Sequence, residues 1–152
     1  MGIEINFKSL KKFYDKKVIR KLKDMKDKYK NPKVRGNPLI YTVYIKDFDR
    51  FEAGLTVIEL GSVNKEYYMT KGHRHKKPRK ELYLLIKGKG KLMIQDKKIE
   101  IIDLKKNKIY IVPGKAGHRL INLGNKKLEV LTIYSKDSGH DYNFKFKKRI
   151  MK

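Results

Sequence analysis

Three of the four histidines of this chain lie in a pattern that is typical of metal ligands. His73 and His75 form a His-x-His pair, Glu81 follows six residues later, and His118 comes from a separate segment. Side chains alternate between the two faces of a strand, so both imidazoles of the pair point the same way. The carboxylate and a third imidazole complete a set of three nitrogens and one oxygen. That set suits Fe, Mn, Ni or Zn, and we expect one divalent ion per chain.

A His-x-His pair on a strand is also compatible with a polar stripe on the protein surface. The surrounding sequence favours the metal site. Strand-like runs flank the pair at residues 67–70 and 82–86, and His118 follows a Pro-Gly turn and precedes another strand-like run. Histidine is also scarce in this chain, which makes a chance cluster improbable.

The sequence after residue 38 is organised as many short β-rich runs separated by turn residues. The predicted strands span residues 39–45, 54–60, 67–75, 81–87, 91–95, 98–104, 108–112, 118–123 and 127–134. Short strands at regular spacing indicate an antiparallel barrel or a double-sheet sandwich. We therefore predict an all-β domain over residues 1–152, with a β-barrel at 39–134 and a C-terminal segment at 135–152.

The first 38 residues form an N-terminal extension with a different pattern. Apolar residues recur there at helical spacing, namely Val18, Leu22, Met25 and Tyr29. Asp15 can cap the start of a helix, and Asn31-Pro32 would end it. We predict a basic amphipathic helix over residues 15–29. Packing on its own domain is the more common use of such a helix than binding to a membrane or a nucleic acid.

Length and composition limit the class of protein. A chain of 152 residues can bury one sizeable core and is expected to form one domain. It has no cysteine, which excludes disulfides and thiolate chemistry. No apolar stretch reaches membrane-spanning length, and no signal peptide is recognisable. We expect a cytoplasmic protein that does not act at a membrane.

The formal net charge is +24, from 40 lysines and arginines against 16 acidic residues. Such a surface attracts polyanions and steers anionic small molecules towards it. The lysines greatly outnumber the arginines and are scattered along the chain, whereas nucleic-acid contacts usually rely on arginine and on clustered patches. We interpret the charge mainly as a solvated surface, with nucleic-acid binding as a less favoured alternative. A phosphorylated substrate would benefit from the same field.

The sequence resembles the cupins, which are jelly-roll β-barrels with a metal in the barrel mouth. The first cupin motif is similar to residues 72–75 followed by Glu81 and Gly88, and the second to the series Asn107, Pro113, His118 and Asn122. Asn107 stands where the pattern has glycine. Asparagine tolerates the left-handed backbone that glycine would adopt there, so we expect a positive φ at this residue.

Within the cupins, the chain resembles the archaeal-type metal-dependent phosphoglucose isomerases. The most specific segments are Thr-Lys-Gly-His-x-His at 70–75 and Gly-His-Asp-Tyr at 139–142. Weaker similarity extends over residues 20–26, 41–44, 81–83, 87–90, 118–122 and 133–134. The resemblance implies interconversion of glucose 6-phosphate and fructose 6-phosphate, a step of glycolysis and gluconeogenesis. It also implies a homodimer, and the alternating residues 3–7 could add a strand to either subunit's sheet.

The resemblance also implies roles for individual residues. Glu81 is the candidate base and Tyr134 the candidate proton relay, although the residues leave open whether hydrogen moves as a proton through an enediol or as a hydride. The expected substrate contacts are Tyr41, Thr56, Thr70, Gly72, Tyr83, His140 and Tyr142. Several have a structural alternative, because threonine is an ordinary strand former and residues 139–142 could be a polar turn. Two other functions stay open, namely a cupin for another sugar phosphate and a polyanion-binding protein.

Overall fold

The computed structural model describes residue 4 and residues 6–152, and the fold is almost entirely β. The strands are β1 (Lys16–Lys21), β2 (Leu39–Phe48), β3 (Phe51–Ile58), β4 (Ser62–Val63), β5 (Glu66–Tyr67), β6 (Arg74–His75), β7 (Glu81–Lys87), β8 (Gly90–Gln95), β9 (Ile99–Asp103), β10 (Ile109–Val112), β11 (Gly117–Asn122), β12 (Leu128–Ser135) and β13 (His140–Asp141). Within the described residues, helix is limited to α1 (Phe7–Leu10) and a 3-10 turn (Leu22–Asp24).

Two antiparallel sheets enclose the core. The larger has six strands in the order β1-β2-β3-β12-β7-β10, and the smaller has three in the order β11-β8-β9. Two-stranded ladders, β13-β6 and β4-β5, complete the fold. Side chains from both large sheets meet in one buried cluster, with Ile58 and Leu128 from the larger sheet and Leu92 and Ile121 from the smaller. This arrangement confirms the predicted all-β cupin barrel.

The side chains of the six-stranded sheet alternate between its two faces. Along β7, Glu81, Tyr83 and Leu85 are buried and point inwards, while the residues between them are partly exposed. The same alternation buries Val130, Thr132 and Tyr134 of β12. Because β7 and β12 pair with Tyr134 opposite Glu81, these two functional candidates lie side by side on the inner face.

The strand predicted over residues 67–75 is not continuous. Only β5 and β6 are regular there, and isolated bridges link Met69 to Ile121 and His73 to His118. Gly72, with a φ of 71°, interrupts the extended backbone. A positive φ breaks the regular alternation of a strand, so His73 and His75 belong to a bent segment that still runs beside β11.

The helix predicted over residues 15–29 is wrong. This segment forms edge strand β1, which pairs with β2 from Lys16 opposite Ile45 to Lys21 opposite Leu39. Asp15 does not cap a helix but accepts a hydrogen bond from the Asp47 backbone amide. Sheet pairing overrides the helical period here. Leu22, which begins the 3-10 turn after β1, and Met25, which follows that turn, are both buried in the core. No helix in the described part of the chain is long and apolar enough to cross a membrane.

Two turn residues adopt the backbone that their types permit. Asn107 has a φ of 62°, as expected for the position at which the cupin pattern has glycine. Gly88 has a φ of 92°, and a Cβ added there would lie 2.5 Å from the Lys127 carbonyl oxygen. Residues 3 and 5 of the proposed N-terminal strand lie outside the described residues, and Phe7 begins α1 instead.

Candidate metal centre and active site

The four predicted metal ligands converge on one point. One ligand atom each from His73, His75, Glu81 and His118 lies within 4.8 Å of all the others. Glu81 Oε2 is 2.9 Å from His118 Nε2, 3.0 Å from His75 Nε2 and 3.7 Å from His73 Nε2. Reciprocal backbone hydrogen bonds between His73 and His118 tie the bent segment to β11. The pairing of strands thus assembles ligands that are 45 residues apart in sequence, from 73 to 118.

The hydrogen bonds of two imidazoles fix which ring nitrogen faces the centre. His75 Nδ1 donates to the Arg79 carbonyl oxygen and His118 Nδ1 donates to the Ala116 carbonyl oxygen. Each ring therefore directs Nε2 towards Glu81, which is the arrangement found when histidines bind metals. His73 Nε2 is buried and has no hydrogen-bond partner. Three Nε2 atoms and a carboxylate oxygen around one point fit a divalent metal ion.

The charge on Glu81 follows from its surroundings. Burial on its own raises the pKa of this carboxyl, but the hydrogen bonds with His118 and His75, together with the nearby imidazole of His73, lower it by more than burial raises it. The net pKa of Glu81 lies well below its usual value, so the side chain is a carboxylate at neutral pH. One carboxylate beside three imidazoles would offset half of the charge of a divalent ion.

The ligand cluster lies against a cavity with a volume of about 100 Å³. All seven candidate substrate contacts line this cavity, as do Tyr134 and three of the four ligands. These candidates are Tyr41, Thr56, Thr70, Gly72, Tyr83, His140 and Tyr142. His75 lies behind the lining, where it is 3% exposed. The structure therefore brings every predicted site residue to one place.

The segment Gly139–Tyr142 covers part of the cavity as a strand pair. His140 and Asp141 of β13 pair with His75 and Arg74 of β6, whereas Gly139 has a φ of 65° and Tyr142 begins the turn that follows. The centroid of the His140 ring is 4.1 Å from that of His73, and His140 Nδ1 lies 3.1 Å from the Tyr142 hydroxyl. Burial first, and then the neighbouring His73, lower the pKa of His140 to about 4. His140 is accordingly neutral at pH 7.

Tyrosine hydroxyls give the cavity proton donors. Burial raises the pKa of Tyr41 to about 12. Burial, together with the negative charge of Glu81, raises the pKa of Tyr83 well above its usual value. Burial and the nearby carboxylates of Glu52 and Glu81 raise that of Tyr134 as well. All three phenols are protonated at neutral pH and are therefore able to donate a hydrogen bond to a ligand.

Two of the three threonines that line the cavity make hydrogen bonds to the backbone of the protein. Thr70 Oγ1 accepts a hydrogen bond from the Leu120 backbone amide, so this side chain also links the bent segment to β11. Thr132 Oγ1 donates to the Gly54 carbonyl oxygen. Thr56 lies on β3, where it is 5% exposed.

Sequence reasoning missed six residues of the lining. They are Val18, Arg20, Val43, Ile45, Leu120 and Thr132. The first two were assigned to a helix, although Val18 and Arg20 also fit the two-residue period of a strand. That alternation was the signal that could have placed Arg20 in the site.

The sequence comparisons agree on one family. A family model described as glucose-6-phosphate isomerase matches residues 4–152. The glucose-6-phosphate isomerase of Thermococcus litoralis is 36% identical over 154 residues, which cover 93% of this chain and 81% of that protein. The enzyme of the same name from Pyrococcus horikoshii is 34% identical, with 93% and 82% covered.

Comparison with solved structures supports the barrel fold. An oxalate oxidase in complex with the substrate analogue glycolate aligns with a TM-score of 0.52 and 13% identity, over 60% of this chain and 45% of that one. The formate complex of Lactobacillus farciminis oxalate decarboxylase aligns with a TM-score of 0.53 and 20% identity, over 66% and 30%. At these identities the likeness extends to the cupin fold alone.

Proposed function

The chain belongs to the glucose-6-phosphate isomerase family, and we propose that the cavity beside Glu81 is where it interconverts glucose 6-phosphate and fructose 6-phosphate. The observation that carries this assignment is the position of four converging ligand atoms against a cavity lined by tyrosine and threonine hydroxyls. Metal ligands next to neutral proton donors suit a reaction that moves hydrogen between two carbons while charge develops on their oxygens.

The ligand set is proposed to hold one divalent ion, which is Fe, Mn, Ni or Zn. Three imidazoles and one carboxylate favour these ions over Mg or Ca, which prefer oxygen ligands. When bound, the ion supplies Lewis-acid stabilisation of negative charge on the substrate oxygens. The hydrogen bonds of His75 and His118 to backbone carbonyls hold the two rings in position for it.

Glu81 is proposed as the base. All three of its imidazole contacts involve Oε2, which leaves Oε1 to accept a proton. In the direction from glucose 6-phosphate, the carboxylate takes the proton from C2, and the bonding pair of electrons forms the C1–C2 double bond. The carbonyl oxygen O1 receives a proton at the same time. Return of the first proton from Glu81 to C1 completes the transfer.

Tyr134 is proposed as the acid that serves the two oxygens. Its raised pKa keeps the phenol protonated, so it can donate a proton to O1 as the enediol forms. The resulting phenolate then takes the proton from O2 as the carbonyl forms there, which restores the starting state. The pairing of Tyr134 with Glu81 in β12 and β7 supports this proposal.

Substrate contacts are proposed at the remaining cavity residues. Tyr41, Thr56, Thr70 and Gly72 would hold the phosphate end through hydroxyls and a backbone amide. The position of Gly72 requires glycine, because an added Cβ would lie 2.6 Å from Phe146. Tyr83, His140 and Tyr142 would contact the sugar.

An isomerase assay tests the proposed function. The protein is treated with a chelator, re-supplied with Fe, Mn, Ni or Zn separately, and assayed on glucose 6-phosphate, mannose 6-phosphate and glucose. We expect activity to return with metal, to require the phosphate, and to weaken in apparent affinity as ionic strength rises. Activity on mannose 6-phosphate alone would indicate another sugar phosphate, and no activity with salt-dependent retention on DNA would indicate a polyanion-binding protein.

Labelled substrate separates the two routes of hydrogen transfer. With deuterium at C2, transfer through Glu81 exchanges part of the label with ordinary water. A direct hydride shift keeps all of it on C1. Measurement of deuterium in the fructose 6-phosphate formed at low conversion distinguishes the two.

The chain is also proposed to form a homodimer. Ile109 and Ile111 on edge strand β10 are 62% and 57% exposed, and they pair with Leu84 and Leu82 of β7 on the outer face of the sheet. Burying these side chains against a second copy would remove an apolar edge from water. We expect Ile109→Lys to shift light scattering from dimer to monomer, whereas Ile99→Lys on β9 serves as a control. A monomeric parent protein at micromolar concentration would contradict the proposal.

A cytoplasmic location stays a prediction.

A further inference from the structure

Arg20 is the one lysine or arginine among the described residues that line the cavity, although the chain carries 40 such residues. It lies on β1 on the same face as Val18, and its backbone is paired with that of Tyr41 on β2. The register of β1 on β2 therefore directs one basic side chain, that of Arg20, into the cavity.

Arg20 is half-buried, and its guanidinium has no anionic partner in the described residues. Its Nε is buried without a hydrogen-bond partner, its Nη1 donates to the neighbouring Ile19 carbonyl oxygen at 3.2 Å, and the Tyr41 hydroxyl is its other hydrogen-bonding neighbour. Arg79 binds Asp137 through two nitrogens, and Arg149 binds Glu66. Arg119 also has a buried Nε without a partner, but its other nitrogens donate to Met69 Sδ and to the Lys71 carbonyl oxygen, and it does not line the cavity. Leaving buried donors unsatisfied is unfavourable, so the arrangement suits an anion from outside the chain.

Arg20 and Glu81 lie on different parts of the cavity wall. Arg20 is on β1 and Glu81 is on β7, with β2, β3 and β12 between them in the six-stranded sheet, and both residues line the cavity. Arg20 is therefore a positive charge set apart from the ligand cluster, and it attracts a dianion to that part of the cavity.

We propose that Arg20 determines the specificity of the cavity for a phosphorylated sugar, by donating charge-assisted hydrogen bonds to the phosphate. The same contact orients the substrate, because a phosphate held at Arg20 directs the carbons at the far end of an open-chain sugar towards Glu81. This inference rests on the proposed function and adds the charged group to the hydroxyls and amide assigned above. A guanidinium matches phosphate geometry better than an ammonium group does.

Calorimetric titration with two unreactive open-chain acids tests the role of Arg20. The probes are 6-phosphogluconate and gluconate, which differ in the phosphate, and they are titrated into the metal-loaded protein. Arg20→Gln should weaken binding of 6-phosphogluconate by about 10- to 100-fold and change that of gluconate by less than about twofold. Arg20→Lys should give a smaller loss. Arg50→Gln, on the exposed turn between β2 and β3, removes the same charge and should change neither.

The outcomes separate this inference from the proposed function. Equal losses for both probes, or no loss in Arg20→Gln, would overturn the role of Arg20. If Arg20→Gln does not fold, Arg20→Met decides, because it keeps most of the aliphatic stem and removes the charge, and unchanged binding of 6-phosphogluconate in that variant also overturns the role. An inactive parent protein that still loses 6-phosphogluconate binding selectively on Arg20→Gln would refute the isomerase assignment and retain Arg20 as the phosphate-recognising residue.

Discussion

Replacement of Tyr134 by phenylalanine separates catalysis from packing with the loss of one oxygen atom. Tyr134 is 8% exposed, lines the cavity and lies opposite Glu81 in the β12–β7 pair. Because its pKa is raised above the usual 10.0, the hydroxyl carries its proton throughout the neutral range. In the proposed mechanism Tyr134 is therefore the acid and Glu81 the base.

The expected losses differ in size for the two roles. A hydroxyl that only packs and forms one hydrogen bond contributes about 1 kcal/mol to stability. A general acid contributes roughly 100-fold or more to rate, and a 100-fold loss equals about 2.7 kcal/mol in the barrier. We therefore expect Tyr134→Phe to lower kcat by at least about 100-fold, to keep its metal content, and to lose about 1 kcal/mol or less in unfolding free energy.

Tyr110→Phe is the matched control, because Tyr110 has an assigned structural role outside the cavity. Its hydroxyl accepts a hydrogen bond from the Lys105 amide at 2.8 Å and donates to the Asp103 carbonyl oxygen at 3.3 Å. This variant should lose about 1–2 kcal/mol of stability and keep its turnover. Steady-state kinetics, elemental analysis and urea denaturation of both variants give the comparison. A Tyr134→Phe protein with full turnover would refute the acid role and leave Glu81 as the one assigned proton carrier.

Two further perturbations test the site and the fold. His118→Ala removes one of the four proposed ligands and should lower metal affinity by at least about 10- to 100-fold. Elemental analysis after dialysis against a series of chelators measures this affinity. Unchanged metal binding would mean that the ligands are wrongly assigned. Gly88→Ala should cost about 3 kcal/mol in denaturant unfolding, because its φ is 92° and the added Cβ would lie 2.5 Å from a backbone oxygen. Gly36 is the control, because its φ is 81° but an added Cβ would have no atom within 4 Å. Gly36→Ala should therefore lower the free energy of unfolding by only about 1–2 kcal/mol. Equal losses of stability in the two variants would show that the backbone around Gly88 moves to relieve the contact.

Local chemistry in the sequence was sufficient to predict which four side chains converge in the structure. Imidazoles two residues apart project to the same side wherever the chain is extended, and this holds for His73 and His75 despite the bend at Gly72. The strand β7 has the predicted bounds, and Asn107 has the expected positive φ. Such features depend on residues that are close in the sequence, so the local sequence is enough to predict them.

The N-terminal segment shows where this reasoning fails. Val18, Leu22 and Met25 satisfy the period of a helix, yet residues 16–21 form a strand because β2 offers unpaired backbone groups along its edge. Nothing in the sequence of residues 15–29 indicates that the edge of β2 lies beside this segment. The error also hid Arg20, whose direction into the cavity depends on the register with Tyr41.

The sequence by itself determined the types of residue available for chemistry, namely three histidines and a glutamate in a ligand pattern, and the alternation that predicts a barrel. Only the tertiary structure decided which distant residues share a cavity, which ring nitrogen faces its centre, and that Arg20 is its single cation among the described residues. The physical reason is that charge, burial and hydrogen bonding at a site arise from contacts between strands far apart in the chain. Those contacts exist only after the sheets have closed around a common core.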